Sequence, residues 1–283
     1  MASFPNAIAT FRTMVNRAGV VYDALKTKVI YAEDFNNERD EIIAIETLLK
    51  TGGGWYPVAV PTLQSSDDPT YVLRFASDMT ATLAVGQRIK LTQHSAVKYF
   101  IITVVGAYTG GNTDVTVYGG TDYDMEDTGT YPVTVPYFSM EKAPVGFPLD
   151  PLKWSIVTTD YTERSQATPS AGTWYNLNGT NIVVPIGAWK ITYMCAMGCD
   201  RASAGAIYTW AVLSVNNNDG GTQDFQTTVS VYNMNFGEVS VFCEAFKKFT
   251  TKTTLYLNNQ AQLSSMLNLW RKTVVIRAVC AYL

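Results

Sequence analysis

A heptad pattern of apolar residues near the start of the chain constrains the fold more than any other feature. Phe35, Ile42 and Leu49 recur every seven residues within 31–50. Ile45 fills the intervening seam position, and most other positions there are acidic or amide. A narrow apolar stripe on a polar helix is typical of a coiled coil, in which copies of the same helix bury it. The pattern predicts a self-associating helix with these apolar residues as its oligomerisation seam.

Composition narrows the class of the remaining chain. The 283 residues suffice for more than one domain, charged residues make up only 16%, and there are 17 tyrosines. Such a composition favours a β-rich protein. A net charge of −3 without a basic patch argues against nucleic-acid binding. The longest apolar run, residues 99–105, is too short to span a bilayer, so we expect no membrane insertion.

A first group of strand-like segments follows the glycines at 52–54. These segments are short, rich in β-branched and aromatic residues, and bounded by turn residues. They lie at 70–75, 87–92, 98–105 and 114–118. The group predicts a small antiparallel β-barrel-like domain over 55–144. Three prolines between 144 and 151 then predict a stiff, extended linker over 145–153.

A second, longer group of strand-like segments occupies 154–283 and is separated by Asn- and Gly-rich turns. It predicts a C-terminal β-sandwich head. The predicted strands include 189–197, 206–216, 224–232 and 238–248, with a turn at 233–237. Residues 1–54 are expected to form a docking arm and the oligomerisation helix. The expected fold is therefore mainly β, headed by one short coiled-coil helix.

The N-terminal helix resembles that of many bacteriophage tail-fibre and related virion proteins. The shared features are the apolar-proline segment at 3–5 and the ending formed by Ile42, Ile45, Glu46 and Leu49. Glu38 departs from this pattern, because it occupies a seam position where leucine is usual, and a charge there weakens association. The strings VGQRIKLTQ, VKYFIITVV and TDVTVYGGTDY follow in the order found in similar virion proteins. There they form a small barrel-like module.

The head resembles the jelly-roll heads of the tumour-necrosis-factor and complement-head type through TWYNLNGTNIVVPIGAWKITYMCAM at 173–197. Together these resemblances imply a virion structural protein that forms a homotrimer and is assembled in the host cytoplasm. The N-terminal region would attach to other virion proteins, and the head would bind a host-surface glycan or protein or decorate the particle. Tail fibre, baseplate part and head fibre remain alternatives.

Groups able to carry catalysis are scarce in the sequence. His94 is the sole histidine and is expected in an exposed turn. An acidic cluster, Asp122, Asp124, Glu126 and Asp127, is expected to form a solvated turn, with an ion site as the alternative. The four cysteines are expected to be buried free thiols: Cys195, Cys199, Cys243 and Cys280. We therefore expect no enzyme, no metal and no cofactor.

Amide-rich segments of the head supply the candidate ligand surface, at 216–223, 232–236 and 257–262. Amide and aromatic groups hydrogen-bond to and stack on sugars, although they are also common in β-turns. The candidate residues are Asn216, Asn217, Asn218, Tyr232, Asn233, Asn235, Asn258 and Asn259. A bacterial carbohydrate-binding or adhesin module is the alternative function. A polysaccharide depolymerase is a third class, which the thin supply of acids and histidine disfavours.

Overall fold

The computed structural model describes residues 36, 38–43, 53–221, 225–262 and 265–283, with the backbone alone at 204, 207 and 231–237. Residues 36 and 38–43 are helical. Ile42 is 43% exposed there, so the sheets of its own chain do not bury it. Phe35, Ile45 and Leu49 lie outside the described residues, and the coiled coil stays a prediction. Within the described ranges, no helix has the length and apolarity needed to cross a bilayer.

The first half of the described chain forms one seven-stranded antiparallel sheet with the order β1-β7-β4-β5-β6-β3-β2. Its strands are β1 (Tyr56–Pro57), β2 (Thr62–Asp67), β3 (Thr70–Phe75), β4 (Arg88–Gln93), β5 (Ala96–Val105), β6 (Thr113–Tyr118) and β7 (Thr134–Ser139). Alternate residues point to one face and enclose a core that includes Leu73, Ile89, Phe100 and Val117. The antiparallel strands that the sequence predicts are confirmed.

The barrel itself does not close. The terminal strands β1 and β2 have one partner each, β7 and β3, and do not pair with each other. β1 is only two residues long, and Pro57 has no N–H to donate to a further ladder. β2 is polar and largely exposed along its length. The prediction of a barrel is therefore wrong in this respect, because neither terminal strand is suited to complete one.

The second half forms an eight-stranded sheet with the central order β10-β14-β12-β15-β8, to which β11, β13 and β9 also pair. Its strands are β8 (Ser155–Asp160), β9 (Arg164–Ala167), β10 (Trp174–Tyr175), β11 (Asn181–Val184), β12 (Gly187–Ser214), β13 (Gln226–Phe249), β14 (Thr253–Ala261) and β15 (Met266–Cys280). The strand β12 is the axis of this sheet. It pairs with β13 along one edge and with β15 and then β14 along the other.

The strand β12 folds back on itself. Its Tyr193 hydroxyl lies 2.9 Å from the carbonyl oxygen of Ala211, which is 18 residues further along the same strand. A straight strand would separate these residues by about 60 Å at roughly 3.3 Å per residue. The bend lies where the pairing with β13 shifts register, between Asp200 and Ile207. One hydrogen-bonded sheet therefore encloses its own core, which gives a sandwich-like shape.

Two turn or loop predictions in the head are wrong, and two predicted strands are joined into one. The predicted strand 189–197 and residues 206–214 of the predicted strand 206–216 belong to β12, and the predicted turn at 233–237 lies within β13. The amide-rich loop at 257–262 mostly belongs to β14. Glycine and asparagine are typical of turns, but those within 233–237 lie at the bend of the long β12–β13 hairpin, which continues through it.

The two sheets share one apolar core. Tyr118 of the first sheet meets Trp189 of the second edge to face, with ring centroids 4.9 Å apart. Between the sheets, Phe147 stacks on Trp154 at 5.0 Å, and both rings are buried. Phe147 is therefore packed between the sheets, although most of the segment 145–153 is exposed, and the predicted linker stays a prediction. The predicted domain boundaries themselves stay predictions.

Candidate ligand-binding cleft

The predicted ligand residues have different environments. Asn216, Asn217 and Asn218 form the exposed turn after β12. Asn258 and Asn259 lie in β14 and are fully buried, so their side chains contribute no surface. The remaining three, Tyr232, Asn233 and Asn235, lie in β13 with side chains outside the described set.

Asn258 acts as a brace for the exposed turn. Its Nδ2 donates to the carbonyl oxygens of Asn216 at 3.0 Å and Asp219 at 2.8 Å. Its Oδ1 accepts from the backbone N–H of Asn218 at 3.1 Å. A buried amide that satisfies several backbone groups stabilises one conformation of the turn. The side chain of Asn258 thus positions the surface without belonging to it.

A second amide-rich loop, residues 176–180 between β10 and β11, faces this turn. The backbone N–H of Asn176 donates to the Oδ1 of Asn218 at 2.7 Å. Leu177 and Asn178 have φ angles of 48° and 66°, in the left-handed region. The N–H of Gly179 closes the loop by donating to the Oδ1 of Asn176. The two loops are therefore held together by amide hydrogen bonds.

A polar cleft of about 300 Å³ lies between the two loops and β9. Its lining includes Ser165, Gln166, Tyr175, Asn176, Asn178 and Asn218. A neighbouring hollow of about 460 Å³ shares Asn178 and Gly179 with it. We call both together the Asn176 cleft. The sequence analysis missed the contribution of 176–181, although its letters NLNGTN have the same amide and glycine content as the predicted loops.

Arg271 of β15 lies behind the cleft and is fully buried. Its guanidinium donates to the carbonyl oxygens of Asn176 and Leu257, and to the Oδ1 of Asn259 at 2.9 Å. Burial lowers the pKa of Arg271 to about 10, so the side chain still carries its charge at neutral pH. Asn259 is therefore a structural acceptor for this buried cation.

Two buried donors in this network have no hydrogen-bond partner within the described part of the chain: the Nδ2 of Asn176 and the Nε of Arg271. The amide orientation of Asn176 is set by the Gly179 N–H, which requires the oxygen on its side. Most buried polar groups in proteins are paired, so an unpaired one at a cleft calls for an explanation. Both nitrogen atoms are themselves closed off from solvent.

An ion pair between Arg164 and Asp160 lies at the edge of the neighbouring hollow. The Oδ2 of Asp160 accepts from the Nε of Arg164 and from the hydroxyl of Thr180, both at 3.1 Å. Burial acts to raise the pKa of Asp160, but these bonds, together with one from the Thr162 N–H, outweigh it and lower the pKa below its usual value. Arg164 is thereby neutralised locally.

The groups considered for catalysis or metal binding are separate from this cleft. His94 lies exposed in the β4–β5 turn, stacks on Tyr131 at 4.5 Å, and has Glu126 3.5 Å from its Nδ1. In the acidic segment, Asp122 pairs with Lys153, and Asp124 lies 3.5 Å from the amine of Lys98. Across the described residues, no three His, Cys, Asp or Glu side chains are placed to hold a metal ion.

The cysteines behave as core residues. Cys195, Cys199 and Cys280 are buried, Cys243 is half-buried, and none of the four forms a disulfide. Burial raises the pKa of Cys195 to about 12 and that of Cys199 and Cys280 to about 11. The expected burial is thus confirmed for these three thiols, which are protonated and unreactive at neutral pH.

Comparisons with known proteins leave the family open. No protein-family model matches the chain, and no curated protein matches it. A structure of infectious bursal disease virus, Gx strain, is 12% identical with a TM-score of 0.32, over 80% of this chain and 57% of that one. The VP2 subviral particle of the same virus is 11% identical with a TM-score of 0.30, over 83% and 77%. Latent PorU from Porphyromonas gingivalis is 11% identical with a TM-score of 0.28, over 80% and 24%. We draw no conclusion about fold or function from TM-scores this low.

Proposed function

We propose that the chain is a structural component of a bacteriophage-type virion, assembled as a homotrimer. Its N-terminal region attaches to the particle, and its C-terminal head, of jelly-roll type, is displayed for host-surface binding or decoration. The resemblance of the N-terminal helix to tail-fibre proteins first suggests this function. The observation that carries it is an apolar surface on the head that one copy of the described chain leaves open.

This surface, which we call the β13 patch, consists of Met194, Phe242 and Phe246. The two phenylalanines are 61% and 69% exposed, and Met194, directly opposite Phe242 on β12, is 43% exposed. Exposed aromatic side chains clustered on one sheet face are typical of protein interfaces. They mark a surface that a second copy of the chain would cover.

The strand that carries the patch adds a second reason. β13 is 24 residues long and pairs with β12 alone among the described strands. A long edge strand presents unpaired backbone groups that favour association with another chain. Ile42, exposed in the N-terminal helix, provides a second apolar contact for sibling subunits. Both surfaces support self-association, and the resemblance to trimeric jelly-roll heads supports a trimer as the oligomeric state.

Sedimentation velocity of the full chain at micromolar concentration tests this proposal. We expect one species with three times the protomer mass of 31.2 kDa. The double variant Phe242→Ser, Phe246→Ser should sediment as a smaller species, because the patch loses its apolar area. Val60, 60% exposed in the connection between β1 and β2, gives the matched control Val60→Ser, which should leave the trimer intact. A wild-type monomer would contradict the proposal.

A bacterial carbohydrate-binding or adhesin module is the second candidate function. The Asn176 cleft favours it, because its lining of amide and hydroxyl side chains can hydrogen-bond to sugar hydroxyls. This alternative predicts a monomer that binds glycan and is absent from phage particles. The proposal also assigns no catalysis to the chain, so incubation with capsular polysaccharide should leave the polymer length unchanged. Shortened polymer would instead identify a depolymerase.

A further inference from the structure

A row of side chains crosses four strands of the head on one face of its sheet. Trp210 of β12 lies opposite Thr228 of β13 on one side and opposite Gln260 of β14 on the other, and Gln260 lies opposite Trp174 of β10. Paired residues of antiparallel strands point to the same face of a sheet. Thr228 is exposed, and the other three residues are half-buried. The four side chains therefore form one continuous strip of surface.

Tyr208 and Ser230 extend this strip by a second row. They lie opposite each other on β12 and β13, and each is two positions from a member of the first row. The rings of Tyr208 and Trp210 stack with their centroids 6.5 Å apart. Thr209, between them in sequence, points to the other face and is buried. We call the six residues of the two rows the Trp210 platform: Trp174, Tyr208, Trp210, Thr228, Ser230 and Gln260.

The surroundings of Trp174 and Gln260 hold this end of the platform in place. The loop after β12 lies against the indole of Trp174, because a Cβ atom at Gly220 would come within 2.7 Å of its Nε1. The same side chain packs against the apolar core of the head. The Nε2 of Gln260 donates to the carbonyl oxygen of Gly172 at 2.5 Å, which leaves its Oε1 to accept from a ligand hydroxyl. The platform is therefore pre-organised for binding.

The chemistry of the platform favours a sugar over other ligands. None of its six side chains is charged, so a nucleic acid or an acidic peptide would find no cation on it. The β13 patch differs, because it lies beside Lys190 and Glu244, which pair at 2.9 Å. A sugar ring has an apolar C–H face and a rim of hydroxyls. These match an aromatic ring that is flanked by amide and hydroxyl groups.

The spacing of the two indoles indicates an extended ligand. Trp174 and Trp210 flank Gln260 from its two neighbouring strands, so their Cα atoms lie about 10 Å apart at roughly 4.8 Å per strand. This span is comparable to the length of a disaccharide. Neither indole lines the Asn176 cleft, so the platform is a separate and open surface. An open strip of this length suits a chain of sugars better than a single one.

We propose that the Trp210 platform binds an uncharged polysaccharide chain of a cell surface. Sugar rings stack on Trp210 and Trp174, and their hydroxyls bond to Gln260 and Thr228. The assignment rests on the proposed display of the head to a host surface, and it names the ligand class and the residues that contact the ligand.

Calorimetry of the full chain tests the assignment with neutral oligosaccharides of hexoses and of N-acetylhexosamines, and with an acidic oligosaccharide of hexuronic acids. We expect at least one neutral probe to bind and the acidic probe not to bind. Trp210→Thr removes the indole but keeps a β-branched residue that suits a strand, and it should weaken binding about ten-fold or more. Trp210→Phe keeps an aromatic face, and its affinity should stay within about three-fold of the wild type.

Tyr108 provides a matched control for the loss of an aromatic ring. It is 47% exposed in the connection between β5 and β6, outside the platform. Tyr108→Thr should leave sugar binding unchanged. Circular dichroism and thermal unfolding of each variant establish that it is folded.

Three results would overturn the assignment: no neutral probe binds at millimolar concentration, a folded Trp210→Thr protein binds as well as the wild type, or Trp210→Phe loses as much affinity as Trp210→Thr. Incorporation into particles, measured by blotting purified virions, separates this failure from failure of the proposed function. A chain present in virions that binds no neutral oligosaccharide would remove the platform assignment alone. A chain that binds sugar through Trp210 but is absent from virions would keep the site and remove the virion role.

Discussion

Two buried arginines lie in different regions of the molecule. Arg88 lies at the junction between the two sheets, and Arg271 lies behind the Asn176 cleft. At the junction, the Nε, Nη1 and Nη2 of Arg88 donate to the carbonyl oxygens of Lys142, Gly86 and Tyr282 at 3.1, 2.6 and 2.8 Å. Its guanidinium also lies 4.7 Å from the centre of the Phe147 ring. Every nitrogen of Arg88 is therefore paired.

Arg271 differs, because its Nε has no partner and it lies directly behind the unpaired Asn176 amide. Both arginines are fully buried. A fully paired cation at the junction is typical of a site that serves stability alone. The cation and the amide behind the cleft each keep one buried nitrogen without a partner in the described part of the chain, so this region is the less completely hydrogen-bonded of the two. The comparison separates the structural region of the molecule from its candidate functional region.

The largest expected effect is at the junction. Arg88→Leu should lower the free energy of unfolding by about 3–5 kcal/mol, because it leaves three buried carbonyl oxygens without donors. Urea denaturation measures this. Arg74 pairs with Asp114 at the surface, and Arg74→Leu should cost less than about 1 kcal/mol. Equal losses for both variants would show that the three hydrogen bonds of Arg88 at the junction are not important for stability.

The second-largest loss of stability is expected at Asn258, whose side chain hydrogen-bonds to the exposed turn. Asn258→Ala removes two donated bonds and one accepted bond, and should cost about 2–3 kcal/mol. Asn217 is exposed on the same turn, and Asn217→Ala should change stability by less than about 0.5 kcal/mol. Thermal unfolding of the pair tests whether the buried amides are structural. A larger loss at Asn217 would reverse these roles.

Arg271→Leu sharpens the comparison of the two arginines. It also leaves three acceptors unpaired, but it removes a donor that was buried without a partner. We expect a loss of about 2 kcal/mol, smaller than that of Arg88→Leu, because the penalty of the unpaired Nε disappears. Both variants should be compared in one denaturant series. A larger loss at Arg271 would mean that the cleft is the more rigid region.

Asp160 should give the smallest effect, and one that depends on pH. Its pKa is lowered in the folded protein, so its contribution is fully present above its usual pKa of 3.8 and is lost as the pH falls through the lower folded value. Asp160→Asn should cost about 1 kcal/mol at pH 7, and the cost should shrink as the pH falls below 3.8 and through the lower folded pKa. Stability curves from pH 7 into this acidic range measure this. A difference that grows on acidification would contradict it.

The sequence was sufficient for elements that depend on local alternation. β3 occurs at 70–75 as predicted, because it is short and bounded by turn residues. It failed where distant pairing overrides local signals. The glycine and asparagine content of 233–237 is typical of a turn, yet β12 supplies backbone partners on both sides of the bend. Local composition does not report such non-local pairing.

The candidate site was predictable in kind but not in detail. Amide-rich segments pointed to the end of the head at which Asn217 and Asn218 line the Asn176 cleft. Asn258 was wrongly assigned to the ligand surface. The sequence does not distinguish a buried strand asparagine, which hydrogen-bonds to the backbone of a turn, from an asparagine that faces solvent. Asn176 was missed, because its unpaired amide is a property of packing with Gly179 and Arg271 and is visible only in three dimensions.

Immunogold labelling of purified phage particles from cells that produce this chain tests the central claim most directly. The account predicts gold on the particle at projecting structures, with an antibody to the head reaching further out than one to residues 1–54. Label on cell material alone, with none on particles, would contradict the assignment of the chain to a virion.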